Sequence, residues 1–589
     1  MRFPQTLIIG LTLWFLTTSV TYGAPALTLD SLFPKDRILD VQIKIDRETW
    51  NKLRYQTRDR NIWQNRGKAP IPSPFTYFIA DVTIDGVTFP RVGLRKKGFI
   101  GSLDTFRPSL KVKLNYTEKG AHLGGLKTLT FNNNKQDRSL LSQHMSYLIF
   151  NRAGSPAPRT AFARVRVNGT NLGIYTHVET VREPLLEREF GTDAGTLYES
   201  TVVDFRPGWA NGFELKTGND IPGREGLANL ISSLKTDPGD PIFDPKTPSR
   251  AWVPRKADPH NSWTRLDFDD TSWPEGHGAA GYDTQTEFDD LIHPNFDFEY
   301  RLHSQQRTLY LRIPFTINDL SEIEKRDGRL QLGVMYDDGF VAYLNGQFIA
   351  SKNAPYPAKW NSLATDSHAD ASATSYELFD IHQHKDKLIE GENLLALQGL
   401  NLNIVSTDML IAGLLSTSRG ERQIQVWDHV DEDSFYTFWA LEGLMASWDG
   451  YAGNANNFFI YLHPESKKFH FMPWGTDSLF LLGRSSRRSP ATLPTVLKNS
   501  VLVDYLWRFP EVREKYAKAV LKILKETWHE DQLIAEINRL EPMLRRSITP
   551  QQFDYTQQLQ LMRQFIQGRR QQAMTDMSLY LQKSATTKP

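Results

Sequence analysis

A stretch rich in Pro, Gly and Asp at residues 236–248 divides this sequence into regions with different hydrophobic patterns. Before it, and again after residue 418, strand-like alternation is mixed with helical periodicity, whereas residues 249–417 contain short strand-like runs separated by turn residues. A change of periodicity across Pro and Gly indicates a boundary between folding units. The sequence therefore predicts an α+β region interrupted by an inserted all-β sandwich and ending in a helical C-terminal region.

The composition excludes several kinds of site. The chain of 589 residues has no Cys, which excludes disulfide bonds, thiolate metal sites and a cysteine nucleophile. Lys and Arg together number 69 and Asp and Glu 68, so no overall field draws the protein onto nucleic acid. The sequence motifs of a phosphate-binding Walker loop, a zinc protease helix and a nucleophile elbow are also missing. We expect no nucleic-acid partner, and any anion site must be local.

The N-terminus has the pattern of a secretory signal peptide. Arg2 precedes a mostly apolar stretch from Leu7 to Val20, and Ala24-Pro25-Ala26 follows it. The stretch is shorter than the about 20 residues that a helix needs to cross a bilayer. Residues 1–26 are therefore predicted to be a signal peptide, with an uncleaved anchor as the alternative. We expect a bacterial protein that is secreted, periplasmic or on the cell surface, with no transmembrane segment in the mature chain.

Turn residues and periodicity predict individual elements. Asn168-Gly169 lies between two alternating runs and predicts a β-hairpin, because both residues tolerate a positive φ. A second hairpin is predicted from Phe458 to Leu462 and from Phe469 to Trp474, after a helix that ends at Asp449-Gly450. In the insert, turns are predicted at Asp338-Gly339 and Asn345-Gly346.

Positive charge is concentrated in two segments of the first region. Arg95, Lys96 and Lys97 form one segment, and in the other Lys111 and Lys113 alternate with apolar residues. On a strand this alternation places both lysines on one face. Such a face can bind phosphate groups. The alternative is an ordinary solvated sheet edge whose lysine stems cover apolar surface.

Carboxylates and amides cluster on either side of the second predicted hairpin. Asp449, Asn456 and Asn457 precede the hairpin, and Asp477 follows it. Magnesium-dependent phosphoryl transfer needs one acid to orient the acceptor hydroxyl, and a carboxylate and an amide oxygen to bind the hard cation. The alternative is that these Asp-Gly and Asn-rich segments only form turns.

Short motifs follow one another in a characteristic order in both α+β parts. In the first part they are Arg95–Gly98, Pro108–Asn115, Phe131–Asn134 with Asp137–Ser139, Pro158–Thr160, Val167–Gly169 with Gly173–Tyr175, Val178-Glu179 and Gly195–Glu199. In the second part they are Asp449–Tyr451, Asn456–Phe458, Tyr461 and Met472–Trp474 with Asp477. This order resembles the CotH (spore coat protein H) kinase family. The resemblance implies a highly diverged protein-kinase fold that uses ATP and Mg²⁺ or Mn²⁺ to phosphorylate Ser or Thr.

The resemblance also implies roles for individual residues. They are ATP binding for Lys111, Arg95 and Glu179, with Glu179 as the partner of Lys111; catalysis for Asp449; and metal binding for Asp477 and Asn457. One departure is Gly475, which stands where the family usually has the Asp of Pro-Trp-Asp. If that carboxylate shares the cation, its loss weakens metal binding, so a catalytically degenerate member remains the alternative.

The region predicted to be the insert carries motifs of its own. They are Phe268–Trp273, Asp337–Gly339, Leu344–Gly346, Gly391–Asn393 and Ser406–Asp408. They resemble the galactose-binding-like jelly-roll domains of many secreted bacterial enzymes. In such domains these residues mostly determine turns, so a structural role outweighs sugar binding at any named residue.

Two functions follow from these resemblances. The first is an exported atypical protein kinase that transfers the γ-phosphate of ATP to Ser or Thr of surface or secreted proteins. The second is a surface adhesion protein that keeps the kinase-like fold as a scaffold and binds glycan or protein through the insert. A glycan hydrolase is disfavoured because no pair of acids is placed in the facing arrangement that such enzymes need.

The sequence also predicts the bounds of each part of the chain. It comprises a signal peptide at 1–26, a first kinase-like part at 27–235, a linker at 236–248, the β-sandwich at 249–417, a second kinase-like part with a helical end at 418–583, and a tail at 584–589.

Overall fold

The computed structural model describes most of the chain. The described residues are 27–59, 67–234, 239–258, 260–285, 288–325, 329–368, 370–417, 424–480, 493–549 and 555–586. The predicted signal peptide at residues 1–26 lies outside them. The described part is a mixed α+β structure with several sheets and a helical C-terminal region, as the sequence predicts.

The first region is built around a closed barrel of seven strands. They are β1 (Leu39–Lys44), β2 (Phe78–Ile84), β3 (Val87–Lys97), β4 (Ser109–Lys113), β5 (Thr128–Asn132), β6 (Thr160–Val167) and β7 (Thr170–Val178). The order around the barrel is β1-β2-β3-β4-β5-β7-β6, and β6 closes it by pairing parallel to β1. Asn168 and Gly169 both have positive φ and join β6 to β7, which confirms the predicted hairpin.

Helices and two further strands accompany the barrel. They are α1 (Arg47–Arg54), α2 (Ser142–Arg152), α3 (Glu183–Phe190), β8 (Thr196–Ser200), β9 (Glu214–Thr217) and α4 (Asp220–Ser233). The start of α2 is fixed by Asp137, whose Oδ2 accepts a hydrogen bond of 2.7 Å from the Ser142 backbone N–H. This bond satisfies one of the free N–H groups at the beginning of the helix.

The next region is almost entirely β-structure. Its strands are β10 (Asp240–Pro241), β11 (Ser249–Trp252), β12 (Glu275–Gly276), β13 (Ala279–Asp283), β14 (Ile292–Asp297), β15 (Thr308–Ile317), β16 (Leu330–Asp337), β17 (Gly339–Leu344), β18 (Gln347–Lys352), β19 (Glu377–Asp380), β20 (Gly391–Leu400) and β21 (Asp408–Thr417). Three short helices are α5 (Glu299–Leu302), α6 (Leu320–Glu324) and α7 (Asp370–Ala373). One sheet has the order β14-β13-β21-β16-β19, with β10 also on β21, and the other has the order β12-β11-β15-β20-β17-β18.

The two sheets of this insert share a hydrophobic core. Leu332 on β16 and Leu415 on β21 from one sheet belong to the same buried cluster as Leu311 on β15 and Leu397 on β20 from the other. The insert is therefore a two-sheet β unit. Its assignment as a jelly roll, and the residue at which it begins, remain predictions.

Two local features of the insert differ from the sequence prediction. Asp240–Pro241 fall within the stretch expected to be a linker, but they pair with Ser416 and Thr417 on β21. Asp338-Gly339 does not close a hairpin, because β16 and β17 belong to different sheets. The predicted Asn345-Gly346 turn does join β17 to β18.

The chain after the insert completes the α+β part. Its elements are α8 (Glu432–Leu444), α9 (Tyr451–Asn454), β22 (Phe458–Leu462), β23 (Phe469–Pro473), α10 (Val501–Trp507), α11 (Pro510–Glu526), α12 (Glu530–Arg545) and α13 (Tyr555–Thr586). The predicted β22–β23 hairpin is confirmed, and β22 also pairs with β8 to give the sheet β23-β22-β8-β9. The insert therefore separates in sequence two parts that share one sheet.

The same two parts share the largest hydrophobic core. Phe150 on α2 lies with its ring centre 6.0 Å from that of Phe438 on α8, and both side chains are buried. None of the helices in the described residues is long and apolar enough to span a membrane.

Candidate active site

A cavity of about 660 Å³ lies where the barrel meets the four-stranded sheet and the loops beside it. Its lining includes five of the residues singled out in the sequence, which are Lys111, Arg95, Asp449, Asp477 and Asn457. Two of them come from barrel strands β3 and β4, and three come from the loops that flank β22 and β23. The fold therefore brings the basic segments and the acid–amide cluster to one cavity.

The basic wall of the cavity is set by strand register. Arg95 on β3 pairs with Lys111 on β4, so both side chains leave the same face of the sheet. Lys97, two residues further along β3, also lines the cavity, and its Nζ lies 5.8 Å from the ring centre of Trp474. Arg95 Nη1 donates a hydrogen bond of 2.8 Å to Ser73 Oγ. The sheet thus presents three basic side chains to one cavity.

Burial changes the ionisation of two of these cations. Burial lowers the pKa of Lys111 to about 7, although the nearby Glu199 carboxylate acts in the opposite direction. Burial also lowers the pKa of Lys97 against the attraction of Asp477 and Glu199. An anion bound in the cavity would favour the charged form of both amines.

Lys96, between the two cavity cations, has a different role. Its side chain is buried, and its Nζ donates hydrogen bonds to the carbonyl oxygens of Arg54 and Gln56 at 2.7 and 2.8 Å. Because side chains alternate between the two faces of β3, Lys96 has a structural role while Arg95 and Lys97 face the cavity.

The Asp449 carboxylate is held by three amide groups of the following loop. Asn454 and Asn456 donate from Nδ2 to Asp449 Oδ1 at 2.8 and 3.1 Å. Asn457 Nδ2 donates to Asp449 Oδ2 at 2.9 Å. The Asn-rich stretch thus orients the carboxylate in addition to forming a turn.

A buried glutamate fixes the backbone at the start of α9, directly after Asp449. Glu442 on α8 accepts hydrogen bonds from the Tyr451 and Ala452 backbone N–H groups at 2.9 and 2.7 Å. Burial raises the pKa of Glu442 to about 8 against these two bonds. A Cβ on Gly450 would lie 2.1 Å from Glu442 Oε1, so only glycine allows this approach.

Asp477 is the most buried acid of the cavity. Its Oδ2 lies 3.5 Å from Asn132 Nδ2 on β5. Burial raises the pKa of Asp477 to about 6, Lys97 opposes this, and the Asp449 carboxylate adds to it. The segment that carries Asp477 is tied to α2, because Ser142 Oγ donates to the Thr476 carbonyl at 2.9 Å and Ser146 Oγ to Thr476 Oγ1 at 2.6 Å.

Gly475 lies directly against the side-chain amide of Asn457. Its φ is +56°, and a Cβ there would be 2.7 Å from Asn457 Oδ1. Because Asn457 is held by Asp449, a side chain at 475 would displace a residue of the cavity. The local packing therefore has no room for a side chain at position 475, where the resemblance leads one to expect an Asp.

Glu179 does not line the cavity. The prediction that it pairs with Lys111 is therefore wrong. Glu179 is buried just after β7, where its carboxylate accepts from Arg159 Nη2 at 3.0 Å and from Arg188 Nη1 at 2.7 Å. The carboxylate that acts on Lys111 is Glu199 on β8.

Sequence reasoning missed several residues of the cavity. They include Asn132, Glu199 and Lys216, of which the last forms an ion pair of 2.6 Å with Glu199. Asn132 and Glu199 lie within the family-like motifs, so the signal was present without a role attached to it. Lys216 carries no such signal. The sequence places Lys97 in a basic segment but gives it no role.

The donors at the acidic end suit a hard cation. Asp449, Asp477 and Asn457 offer carboxylate and amide oxygens, which are the ligands that Mg²⁺ and Mn²⁺ prefer.

Three solved structures have a weak likeness to part of the chain. Bacteroides uniformis beta-glucuronidase is 13% identical with a TM-score of 0.18 and covers 29% of this chain and 17% of its own. A beta-glucuronidase from uncultured Clostridium sp. is 13% identical with a TM-score of 0.18 and covers 30% of each chain. Amycolatopsis orientalis exo-chitosanase CsxA is 12% identical with a TM-score of 0.17 and covers 29% of this chain and 20% of its own. The chain spans less than a third of each enzyme, and likenesses at these TM-scores carry no argument.

Comparison of the sequence with curated proteins and with family models gives a clearer result than the solved structures. A search of curated proteins finds no match. Residues 94–238 and 406–582 match the family model described as CotH kinase protein. These segments contain Arg95, Lys111, Asp449, Asn457 and Asp477 of the cavity and lie on either side of most of the β insert. Since they cover more than half of the sequence, the chain belongs to the CotH kinase family.

Proposed function

We propose that this protein is an exported protein kinase that transfers the γ-phosphate of ATP to Ser or Thr hydroxyls of surface or secreted proteins. The observation that carries this proposal is the meeting of three cations with the Asp449–Asp477 pair in one cavity. Phosphoryl transfer depends mainly on positioning and on stabilising charge, which such an arrangement supplies. Membership of the CotH kinase family supports the same chemistry.

The nucleotide would bind between the two walls. Lys111 and Arg95 would contact its phosphates, with Lys97 beside them. Apolar lining residues, among them Ile71 and Phe75, offer a surface for the adenine base. Asp477 and Asn457 would hold Mg²⁺ or Mn²⁺, which neutralises charge on the phosphates when it is bound.

Asp449 would orient the acceptor hydroxyl and accept its proton. Its carboxylate is already fixed by the amides of Asn454, Asn456 and Asn457. A preorganised base loses little freedom when the substrate binds.

The remaining parts of the proposal concern location and the insert. Export is supported by the signal-peptide pattern of residues 1–26. A jelly-roll insert within residues 249–417 is supported by the two sheets and their common core. Carbohydrate or protein binding through this insert is the alternative function, in a catalytically degenerate protein. The observation in its favour is Gly475, which leaves the cavity without the carboxylate usual in the family.

The decisive experiment is a transfer assay on the purified chain from residue 27 onward. We expect it to bind ATP in calorimetry with Mg²⁺ or Mn²⁺, and to incorporate γ-phosphate into itself or into an unfolded Ser/Thr-rich protein. Chelation of the divalent cation should abolish incorporation. If neither ion supports binding or transfer, the kinase proposal is wrong and the scaffold alternative takes its place.

The pKa of Lys111 predicts a pH dependence for nucleotide binding. Lys111, with a pKa of about 7, is charged below that pH and neutral above it, so metal-free ATP should bind more weakly as pH rises through about 7. Lys111→Arg is the matched control because a guanidinium stays charged throughout. Ionisation of ATP itself is common to both proteins and cancels in the ratio of their affinities. Identical pH profiles for the two proteins would show that Lys111 does not contact the phosphates.

A further inference from the structure

A second group of acids lies in the insert, away from the cavity. Asp337 ends β16, Asp408 begins β21, and Asp370 begins α7. One ligand atom of each lies within 4.8 Å of those of the other two. β16 and β21 are adjacent and antiparallel, with Asp337 paired to Leu410, so the register places the first two acids together. The fold assembles this group from three separate segments.

Asp337 supplies an observation that is independent of the clustering. Asp337 is only 3% exposed. Its Oδ2 accepts no hydrogen bond within the part of the chain that the structure describes. A buried carboxylate oxygen without a donor is costly, because it has lost water and gained nothing in exchange. The group therefore contains an unsatisfied acceptor that a cation would satisfy.

Asn401 lies against the backbone of Asp408 and, within the described chain, has a second unpartnered oxygen. Its Nδ2 donates to the Asp408 carbonyl at 2.9 Å, while its buried Oδ1 has no partner among the described residues. An amide oxygen left free next to carboxylates is a usual component of an oxygen-ligand cation site.

The neighbouring Asp338 holds the segments in place. Its Oδ1 accepts from the His368 backbone N–H at 3.1 Å, and its Oδ2 accepts from the Leu402 backbone N–H at 2.7 Å. These bonds tie the segments that carry Asp370 and Asn401 to the end of β16. The group is thus braced by the fold.

Within the part of the chain that the structure describes, none of the three acids forms an ion pair with a Lys, Arg or His. Burial, followed by the Asp338 and Asp408 carboxylates, raises the pKa of Asp337 well above its ordinary value. Burial and then Asp370 raise the pKa of Asp408 to about 6. Repulsion of this kind is relieved when a divalent cation binds.

We propose that Asp337, Asp370 and Asp408 bind a calcium ion, with Asn401 Oδ1 as a further ligand. The donors are all oxygen, which selects a hard cation over zinc or copper. Calcium accepts irregular, flexible sets of oxygen ligands from the protein, whereas Mg²⁺ requires a near-ideal octahedron and usually keeps several waters. Three carboxylates within 4.8 Å of one another can bind one ion, and a site built from three separate segments suits the more tolerant cation.

The ion would act on the contact between the insert and the helical region. Ser372, also on α7, donates from Oγ to Asp504 Oδ2 on α10 at 2.5 Å. Calcium would fix α7 to the ends of β16 and β21, and so fix the surface that faces α10. This role concerns stability and domain contact, and it is separate from nucleotide binding.

The experiment measures calcium binding and thermal unfolding of the full chain from residue 27 onward. Calcium alone is titrated in calorimetry, and the melting temperature is recorded with calcium and with chelator. We expect one calcium site that survives Asp477→Asn, because Asp477 belongs to the other cavity. Mg²⁺ should compete weakly. The exposed Asp386→Asn in the same insert is the matched control and should behave as wild type.

Asp370→Asn gives a result that a purely structural role would not. It should lower calcium affinity at least tenfold and remove the rise in melting temperature on adding calcium. In chelator it should melt no lower than wild type, because it removes one of three mutually repelling charges. Lower stability in chelator together with an unchanged calcium response would overturn the proposal. So would a wild-type protein that neither binds calcium in the insert nor gains stability from it.

Discussion

Asp449→Asn should reduce the rate of phosphate transfer by about two to four powers of ten, which is the usual contribution of a positioned general base. The substitution keeps the shape of the side chain and removes the negative charge that would accept the hydroxyl proton. The new amide N–H₂ at position 449 would face the Asn side-chain donors that now bind the Asp449 carboxylate. Because two donors cannot bond to each other, we expect a small loss of stability. Transfer rates at saturating ATP and Mn²⁺ or Mg²⁺ measure the effect.

Two comparisons give this result its meaning. Asp433→Asn removes a charge from an exposed residue in the first turn of α8 that does not line the cavity, and it should leave the rate unchanged. ATP affinity of Asp449→Asn should stay within a few-fold of wild type, since Asp449 is assigned to the acceptor hydroxyl. Equal transfer by wild type and Asp449→Asn contradicts the assignment. A parallel loss of ATP binding would place Asp449 on the nucleotide side instead.

Elements with a local signal could be predicted from the sequence. Asn168 and Gly169 tolerate positive φ, so the β6–β7 hairpin could be predicted from these two residues, although Asn168 also bonds to Ile45 just after β1. The same is true of the β22–β23 hairpin and of the alternation that puts Lys111 on one face of β4. In each case the information lies within a few residues, where sterics and side-chain direction decide the structure.

Features that depend on contacts between distant segments could not be predicted. The parallel pairing of β6 with β1 closes the barrel, and the pairing of β8 with β22 joins strands on either side of the insert. No local pattern specifies either partner. Only the family resemblance links Lys111 to Asp449 and Asp477, because no local sequence pattern places these distant residues at one site.

The acids of the insert show the same limit. Asp337 and Asp408 stand out in the sequence only as turn residues, and Asp370 carries no signal at all. Their convergence depends on the register of β16 against β21 and on the position of α7. Their description as turn residues did not include the charges that the fold brings together.

Glu179→Gln should destabilise the protein by about 3 kcal/mol, the lower end of the cost of breaking a buried ion pair. The lower end applies because the side chains of Arg159 and Arg188 are 25% and 31% exposed, and water can solvate them when the charge is removed. Chemical denaturation at neutral pH measures the difference. Glu189→Gln is the control, since its pair with the same Arg188 is more exposed and should contribute about 0–1 kcal/mol.

The pH dependence of this destabilisation has a definite sign. Burial alone would raise the pKa of Glu179, but the bonds from Arg188 and Arg159 outweigh it and hold the pKa below its usual value. Stability from such a group is present above its unfolded pKa and is lost as pH falls toward the folded one. Wild type and Glu179→Gln should therefore differ fully at neutral pH and converge in acid.

Nucleotide binding separates the structural position of Glu179 from the role that the sequence suggested. A Glu179 that paired with Lys111 would make Glu179→Gln a weak ATP binder in its folded form. Because Glu179 is bound to Arg159 and Arg188, we expect folded Glu179→Gln, at a temperature where it is fully native, to bind ATP within about twofold of wild type. A large loss of ATP affinity with unchanged stability would restore the pairing with Lys111 and contradict the contacts of the barrel.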